Sequence, residues 1–342
     1  MATRVTAQMV AERAGVSQSA VSRVFTSGAS ASPKTADKVR KAAAELGYRP
    51  NVLARAMVSG RSRIIGLVVA YLENLFYPEV LEKLSGALQA RGYHILVFLT
   101  SQTEREADEI VEEVLSYQVD GIILASAALS SDLASRCEAA GVPVLLFNRS
   151  QDVSGLNAVT TDNFAGGRKV GAFLLAGGHE RIGYIAGSEA ASTQRDREAG
   201  FRAALAEAGR DLASREIGDF DSDRSAEAAR RMFSGPERTR PDAVFVAGDH
   251  MALIVMDVLR YELDLSVPGD VSVVGYDDVP SASWHAYNLT TVRQPAGLMV
   301  EKAVNALLEA IEAPESAEPK HEVVDAELIL RGSARLPEGL TK

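Results

Sequence analysis

Residues 6–24 read TAQMVAERAGVSQSAVSRV, two short helical patterns on either side of a glycine. Thr6 precedes a run of helix formers, residues 7–14, in which Met9, Val10 and Ala14 are the apolar contacts, and its hydroxyl can accept an N–H of the first turn. Gly15 tolerates the positive φ that ends a helix. Ser17 stands where it can cap a second helix, whose Ala20, Val21 and Val24 fall on one face. Helix, glycine turn and helix make a helix-turn-helix pattern. The other face of the second helix carries Gln18, Ser19, Ser22 and Arg23. Glutamine matches the N6/N7 edge of adenine, arginine the O6/N7 edge of guanine, and serine several edges, so this face has the chemistry to read bases from a major groove. Taken alone, the same residues read as a solvated polar face.

A third helix follows. Ser32 caps it, Pro33 suits its first turn, Val39, Ala42, Ala43 and Leu46 form its apolar stripe, and Gly47 stops it. Lys34, Lys38, Arg40 and Lys41 make it basic, as phosphate contacts require. Pro50 then discourages helix before it, Asn51 can cap a short helix over residues 52–58, and Ser59-Gly60-Arg61-Ser62 is a junction. Residues 1–63 hold eleven Lys/Arg against three Asp/Glu, a net of +8. With −10 for the whole chain, the remainder carries −18. A basic head on an acidic body suits one module facing a polyanion.

At 342 residues the chain exceeds one ordinary domain of ~150 residues. No apolar run approaches the ~20 residues of a membrane helix, and the first ten residues lack the apolar core of a secretory signal. With a single cysteine, Cys137, a soluble cytoplasmic protein without disulfides is expected. His94, His179, His250, His285 and His321 show no metal-ligand spacing, and Gly166-Gly167 and Gly177-Gly178 match neither a phosphate loop nor a dinucleotide fingerprint. The pair Asp277-Asp278 is too close in sequence to converge on one reaction. No metal, no cofactor and no enzyme activity are therefore expected.

From Ile64 the pattern alternates between strand and helix. Strands are expected at 64–70, 94–100, 121–125, 143–147, 182–186, 215–219, 243–247, 271–274 and 322–330. Helices are expected at 78–91, 104–117, 131–140, 163–176, 194–208, 222–233, 250–261 and 294–313. This is an α/β pattern of two doubly wound parallel sheets, with chain crossings near 154–162 and 289–294. The domain division read from it is a headpiece (1–49), a hinge helix and linker (50–62) and a two-lobed domain (63–342). One lobe takes about 63–161 and 293–322, the other about 162–292 and 323–342. Ligands of such folds lie at the carboxyl ends of strands. Those ends carry Tyr71, Asn74, Phe76 and Tyr77, then Ser126, Asn148, Asp249 and Asp277, with Arg197 on the helix after 182–186.

Three motifs in order, Val16-Ser17-Gln18-Ser19-Ala20-Val21-Ser22-Arg23-Val24, Glu45-Leu46-Gly47-Tyr48-Arg49-Pro50-Asn51 and Ile65-Gly66-Leu67-Val68-Val69, resemble the lac repressor (LacI/GalR) family from residue 3 to about residue 335. The resemblance implies a helix-turn-helix headpiece on a domain like the periplasmic sugar-binding proteins. It implies a transcription regulator, expected to be a repressor, that binds operator DNA as a homodimer under control of a small molecule between the lobes. It adds Thr6, Tyr48, Asn51, Ala54, Arg55 and Met57 to Ser17, Gln18, Ser19, Ser22 and Arg23 as DNA-binding residues. Ala54 matches the small residue that lets paired hinge helices pack, and Met57 stands where the family usually has a leucine wedge. Arg197-x-x-Gly200-Phe201 resembles the ligand-gripping arginine motif. Asp277 matches the opposing acceptor, Phe220 an aromatic that stacks on the ligand, and Phe76 and Tyr77 the first-loop contacts. Asp277 also reads as a turn cap, Phe220 as core, and Asp249 as the cap of a helix starting at His250. A sugar or sugar derivative is the expected effector, with a purine or metabolite acid still open. The family's tetramer-forming heptads have no counterpart in residues 331–342, so a dimer is expected. The competing reading is a solute-binding protein without regulatory DNA binding, which predicts an export signal.

Overall fold

A computed structural model describes residues 5–25, 31–49, 61–70, 72–100, 104–127, 129–151, 156–314 and 318–339. Asn51, Ala54, Arg55 and Met57 of the expected hinge, and Tyr71, lie outside the described residues. The chain divides into two units, residues 1–64 with 118–120, and residues 65–117 with 121–342.

In the first unit, helices α1 (Ala7–Ala14), α2 (Gln18–Phe25) and α3 (Pro33–Leu46) surround a small core of Val10, Ala11, Val21, Val39, Ala42 and Ala43. Their ends are set by the residues expected to set them. Thr6 Oγ1 accepts from the Met9 N–H, Ser17 Oγ from Ala20 and Ser32 Oγ from Thr35. Gly15 and Gly47 close their helices at φ 65° and 67°. Met9 is a correction: it is exposed, and Ala11 takes the buried position on α1. One methyl suffices there because α1 and α3 pack closely, and Arg13 on α1 grips Glu45 on α3 through Nε and Nη2.

The second unit holds two six-stranded sheets. The first has the order β11-β5-β4-β3-β1-β2. Its strands are β1 (Ile64–Val69), β2 (His94–Leu99), β3 (Gly121–Ala125), β4 (Val144–Phe147), β5 (Asn157–Thr161) and β11 (His321–Val324). The second has the order β12-β10-β9-β8-β6-β7. It comprises β6 (Ile182–Ala186), β7 (Ser214–Ile217), β8 (Ala243–Val246), β9 (Ser272–Asp277), β10 (Thr290–Arg293) and β12 (Glu327–Ile329). The connecting helices are α4 (Phe76–Ala90), α5 (Glu104–Ser116), α6 (Ser131–Ala139), α7 (Asn163–Ala176), α8 (Ser192–Glu207), α9 (Ser222–Phe233), α10 (Asp249–Asp257) and α11 (Ala296–Glu312). Central strands such as β3 (GIILA) and β8 (AVFV) are buried throughout because helices cover both faces.

Four expectations change. Residues 154–162 and 289–294 are more than crossings, since each contains a buried strand, β5 and β10. The expected strand 322–330 is two strands. β11 pairs parallel with β5 in the first sheet, and β12 pairs antiparallel with β10 in the second. The second sheet is thus parallel except at this edge. Finally, α4 starts two residues before Pro78, which sits in the first turn where its missing N–H costs nothing, so Phe76 and Tyr77 lie on a helix rather than in a loop.

The closest packing between helices is that of α7 on α8. A Cβ on Gly167 would lie 2.0 Å from the Arg197 carbonyl oxygen, and one on Gly200 would lie 1.9 Å from that of Phe164. These glycines let two helix backbones touch. Of the paired glycines that matched no phosphate-binding motif, Gly166-Gly167 thus has a packing role, Gly166 against Tyr276 and Gly167 against α8, and the contact carries Arg197 to the strand ends.

Candidate functional site

Ser17, just before α2, and Gln18, Ser19, Ser22 and Arg23 on it are all exposed, while Val21 is buried. Ser17 and Ser19 share a hydroxyl hydrogen bond of 2.9 Å, and Arg23 Nε donates to the Ser19 carbonyl at 3.3 Å. Tyr48 is half-buried, its ring 5.9 Å from that of Phe25, so it also anchors the end of α2. Thr6 is exposed beside the start of α1.

At the carboxyl ends of the strands a second polar set is buried. Asp277, at the end of β9, accepts from Asn74 Nδ2 (2.8 Å, to Oδ2) and Gln294 Nε2 (2.6 Å, to Oδ1). Arg197 Nη2 lies 3.7 Å from Asp277 Oδ1. The same guanidinium donates through Nε to Asn163 Oδ1 (2.8 Å) and through Nη1 to the Ala247 carbonyl (2.6 Å), and it stacks 3.7 Å above the Tyr276 ring. Thr161 Oγ1 donates to Gln294 Oε1 at 3.0 Å. The network joins the end of β5 in the first sheet to the ends of β9 and β10 in the second. Asn74 Oδ1 also accepts from the Phe76 N–H, fixing the start of α4.

Beside it, Asn148 Nδ2 donates to the Tyr77 hydroxyl (3.1 Å), and Arg149 Nη2 donates to the Ser126 carbonyl (3.2 Å). Burial pushes the Tyr77 phenol up, keeping it a neutral donor. Phe220 rests against Gly187, where a Cβ would meet its ring at 2.1 Å, and lies 6.0 Å from the His250 ring. Burial holds His250 below the usual imidazole range, so it is neutral. Six non-glycine residues near these strand ends have positive φ: Ser126 (60°), Asn148 (56°), Asp219 (56°), Phe220 (56°), Asp277 (126°) and Asp278 (60°). Strain of this kind costs of order 1–3 kcal/mol per residue and persists where the surroundings over-determine the backbone.

The neighbours Asp277 and Asp278 do point apart, Asp278 pairing with Arg293 and Arg331. Asp249 is fully buried, its oxygens taken by Thr291 Oγ1 (2.6 Å) and the Val279 N–H (2.9 Å). It starts α10 without capping it, so it acts on the site by holding Val279, two residues beyond Asp277, and Thr291 on the neighbouring strand β10. Residues that sequence reasoning did not single out here are Thr161, Asn163, Tyr276 and Gln294, whereas Arg149 and His250 stand at strand ends where the sequence had placed them. Thr161, Asn163 and Gln294 border the two crossings, where β5 and β10 were not expected, so no recognised strand end pointed to them.

Burial, and then the neighbouring Asp277, push the Asp249 carboxyl up to about 7. Asp277 is raised by burial too, but Arg197, Asn74 and Gln294 favour its anion, so the pair's proton resides on Asp249. Between the ordinary value of 3.8 and about 7, the folded chain keeps a proton that the unfolded chain has lost. Stability from this group is therefore complete below that window and is lost as pH rises through it. Asp249→Asn should flatten the decline. Melting temperatures of both proteins from about pH 5 to about pH 8 test this through their difference, in which the opposing contributions of His179 and His250 cancel. Parallel curves would place the proton elsewhere.

Among the described residues, no helix is long and apolar enough to cross a membrane, and no group of three or more His, Cys, Asp or Glu is placed to hold a metal ion. Residues 6–51 match the family of bacterial regulatory proteins, lacI family, and residues 172–334 match a periplasmic binding protein-like domain. Over 339 residues the chain is 34% identical to the HTH-type transcriptional regulator CelR of Thermobifida fusca, covering 96% of this chain and 98% of that protein. The chain belongs to the lacI family. This lacI-family chain is also 31% identical to the ribose operon repressor of Escherichia coli K12 over 330 residues, 95% of this chain and 98% of that one. Its fold superposes on the lac repressor dimer bound to operator and the anti-inducer ONPF with a TM-score of 0.85, at 29% identity, over 97% of this chain and 99% of that one. On a CelR–cellobiose complex the TM-score is 0.72, at 33% identity, over 97% of this chain and all of that one. The fold is a helix-turn-helix headpiece with a two-lobed periplasmic-binding-like domain. Its lacI-family relatives are transcription regulators, not enzymes, and the chain is a DNA-binding regulator under ligand control.

Proposed function

We propose that the chain is a homodimeric repressor acting in the cytoplasm on a pseudo-palindromic operator, released or tightened by a sugar or sugar derivative bound at the strand ends. Residues 1–49 read DNA, 50–62 form the hinge, and 63–342 bind the effector and the second copy. In that last domain, 63–161 with 293–322 and 162–292 with 323–342 are the two lobes. The observation that carries this reading is the Asn74–Asp277–Gln294–Arg197 set, which braces both sheets through groups that ligand hydroxyls can replace. The amides of Asn74, Asn148 and Gln294 and the Asp277 carboxylate suit several hydroxyls, and the flat Phe220 and His250 rings suit a sugar face. The cellobiose and ribose in the names of two relatives support the same class. An effector that exchanges these braces for its own contacts would move the lobes. Coupling of ~1–3 kcal/mol then changes operator affinity ~5–150-fold.

Two measurements test the reading. A thermal-shift screen of sugars, sugar acids and nucleobases should return a stabilising sugar-type compound, whereas a nucleobase alone would replace the proposed class. At the headpiece, Gln18→Ala should relax base preference at one operator position by ~1–3 kcal/mol and leave phosphate-driven affinity in place. Selection from randomised duplexes measures it, and an unchanged base profile would remove Gln18 from the reading set.

A further inference from the structure

Asp120, between α5 and β3, holds the chain where it enters β1. Its Oδ1 accepts from the Ser62 N–H (2.7 Å) and the Ser62 hydroxyl (2.8 Å), and its Oδ2 accepts from the Arg63 N–H (3.0 Å). Its own N–H donates to the Ile64 carbonyl (2.8 Å), and Ser62 Oγ also accepts from the Ile64 N–H (3.2 Å). Ser62 is only 4% exposed, and Arg63, a non-glycine residue, is held at φ 57°. Both carboxylate oxygens act as acceptors for three donors on two consecutive residues. A strained residue locked by such contacts marks a place where direction of the chain is fixed rather than left free.

The position of the clamp gives it a role. β1 and β3 are parallel neighbours, with Ile65 opposite Gly121 and Val69 opposite Ala125. Asp120 is at the amino end of β3, and Ser126, at the candidate ligand site, follows its carboxyl end. Five buried strand residues, about 17 Å of stiff backbone, separate the two. We infer that Asp120 is the positioning residue that transmits the state of the ligand site to the DNA-binding headpiece, by gripping Ser62 and Arg63. This rests on the proposed control of DNA binding by that site.

The test is a double-mutant cycle on operator affinity in the full chain, using a duplex selected from a randomised pool. Asn74→Ala removes a brace at the ligand site and stands in for an effector that is not yet identified. Alone it should change operator affinity by about fivefold or more. With Asp120→Ala as background, the same change should have less than about a twofold effect. An equal effect in both backgrounds would overturn the role of Asp120 while leaving the control of DNA by the ligand site intact. No effect of Asn74→Ala in the native background would remove that control, and the proposal with it. Asp120→Asn, which keeps an acceptor for Ser62 and loses one for Arg63, should give an intermediate value and serves where the alanine variant does not fold. Trypsin reports the grip directly: cleavage after Arg63 should be faster in both variants, and unchanged cleavage would also count against the clamp.

Discussion

Arg197→Ala is expected to abolish ligand control of DNA binding and to lower stability by about 3–5 kcal/mol. Arg197 is almost fully buried, and one guanidinium serves the Asn163 amide oxygen, the Ala247 carbonyl and the Asp277 carboxylate while stacking on Tyr276. Removing it leaves a buried carboxylate facing two neutral amides, which is the costly half of breaking a buried pair. At ~2–4 °C per kcal/mol for a domain this size, melting should fall by on the order of 10 °C. Arg197→Lys should recover part of the stability, because charge opposite Asp277 returns. It should not recover the ligand response, because a point charge cannot serve three acceptors from one plane. Thermal melting and operator titration with the compound found by screening measure the two effects separately. A normal ligand response from folded Arg197→Ala protein would move the binding site away from this residue.

Gly200→Ala, one methyl group, should cost roughly 3 kcal/mol or more. The added carbon would lie 1.9 Å from the Phe164 carbonyl oxygen, a backbone atom that can move only if α7 and α8 separate. Separation would also drag Arg197, one turn earlier on α8, away from Asn163. The contrast is Gly86, on the exposed side of α4, where a Cβ meets nothing within 4 Å. Gly86→Ala should stabilise by up to ~1 kcal/mol through helix propensity. Denaturant unfolding of the two variants checks the sign reversal, and a neutral Gly200→Ala would mean that the helices are free to shift.

The parts of the fold that were legible in the sequence are those set by local chemistry. Thr6, Ser17 and Ser32 cap the helices they precede, Gly15 and Gly47 end them, and α7 and α9 begin and end where their patterns do. β5 and β10 were hidden because buried strands next to the crossings carry Asn157, Thr161, Thr290 and Thr291, whose side chains find hydrogen-bond partners within the fold. Thr161 Oγ1 finds Gln294 across 133 positions, for example, and Thr291 Oγ1 finds Asp249 across 42. The candidate site was half legible for the same reason. Asn74 and Asp277 stand out at strand ends, but their bond spans 203 positions, and no local pattern pairs them. Asp120 gave no signal, since its three donors are the amides of two consecutive residues and a serine hydroxyl, groups found everywhere in a chain.

The last two strands have a consequence for biosynthesis. β11 completes the edge of the first sheet and β12 that of the second, and they lie only two residues apart near the end of the chain. The first sheet cannot complete this edge on the ribosome until residue 324 has left the exit tunnel, and the second not until residue 329, so earlier nascent chains carry two open hydrogen-bonding rims at once. Premature termination anywhere before residue 321 therefore yields a sticky product with both halves unfinished, rather than one sound half and one broken one.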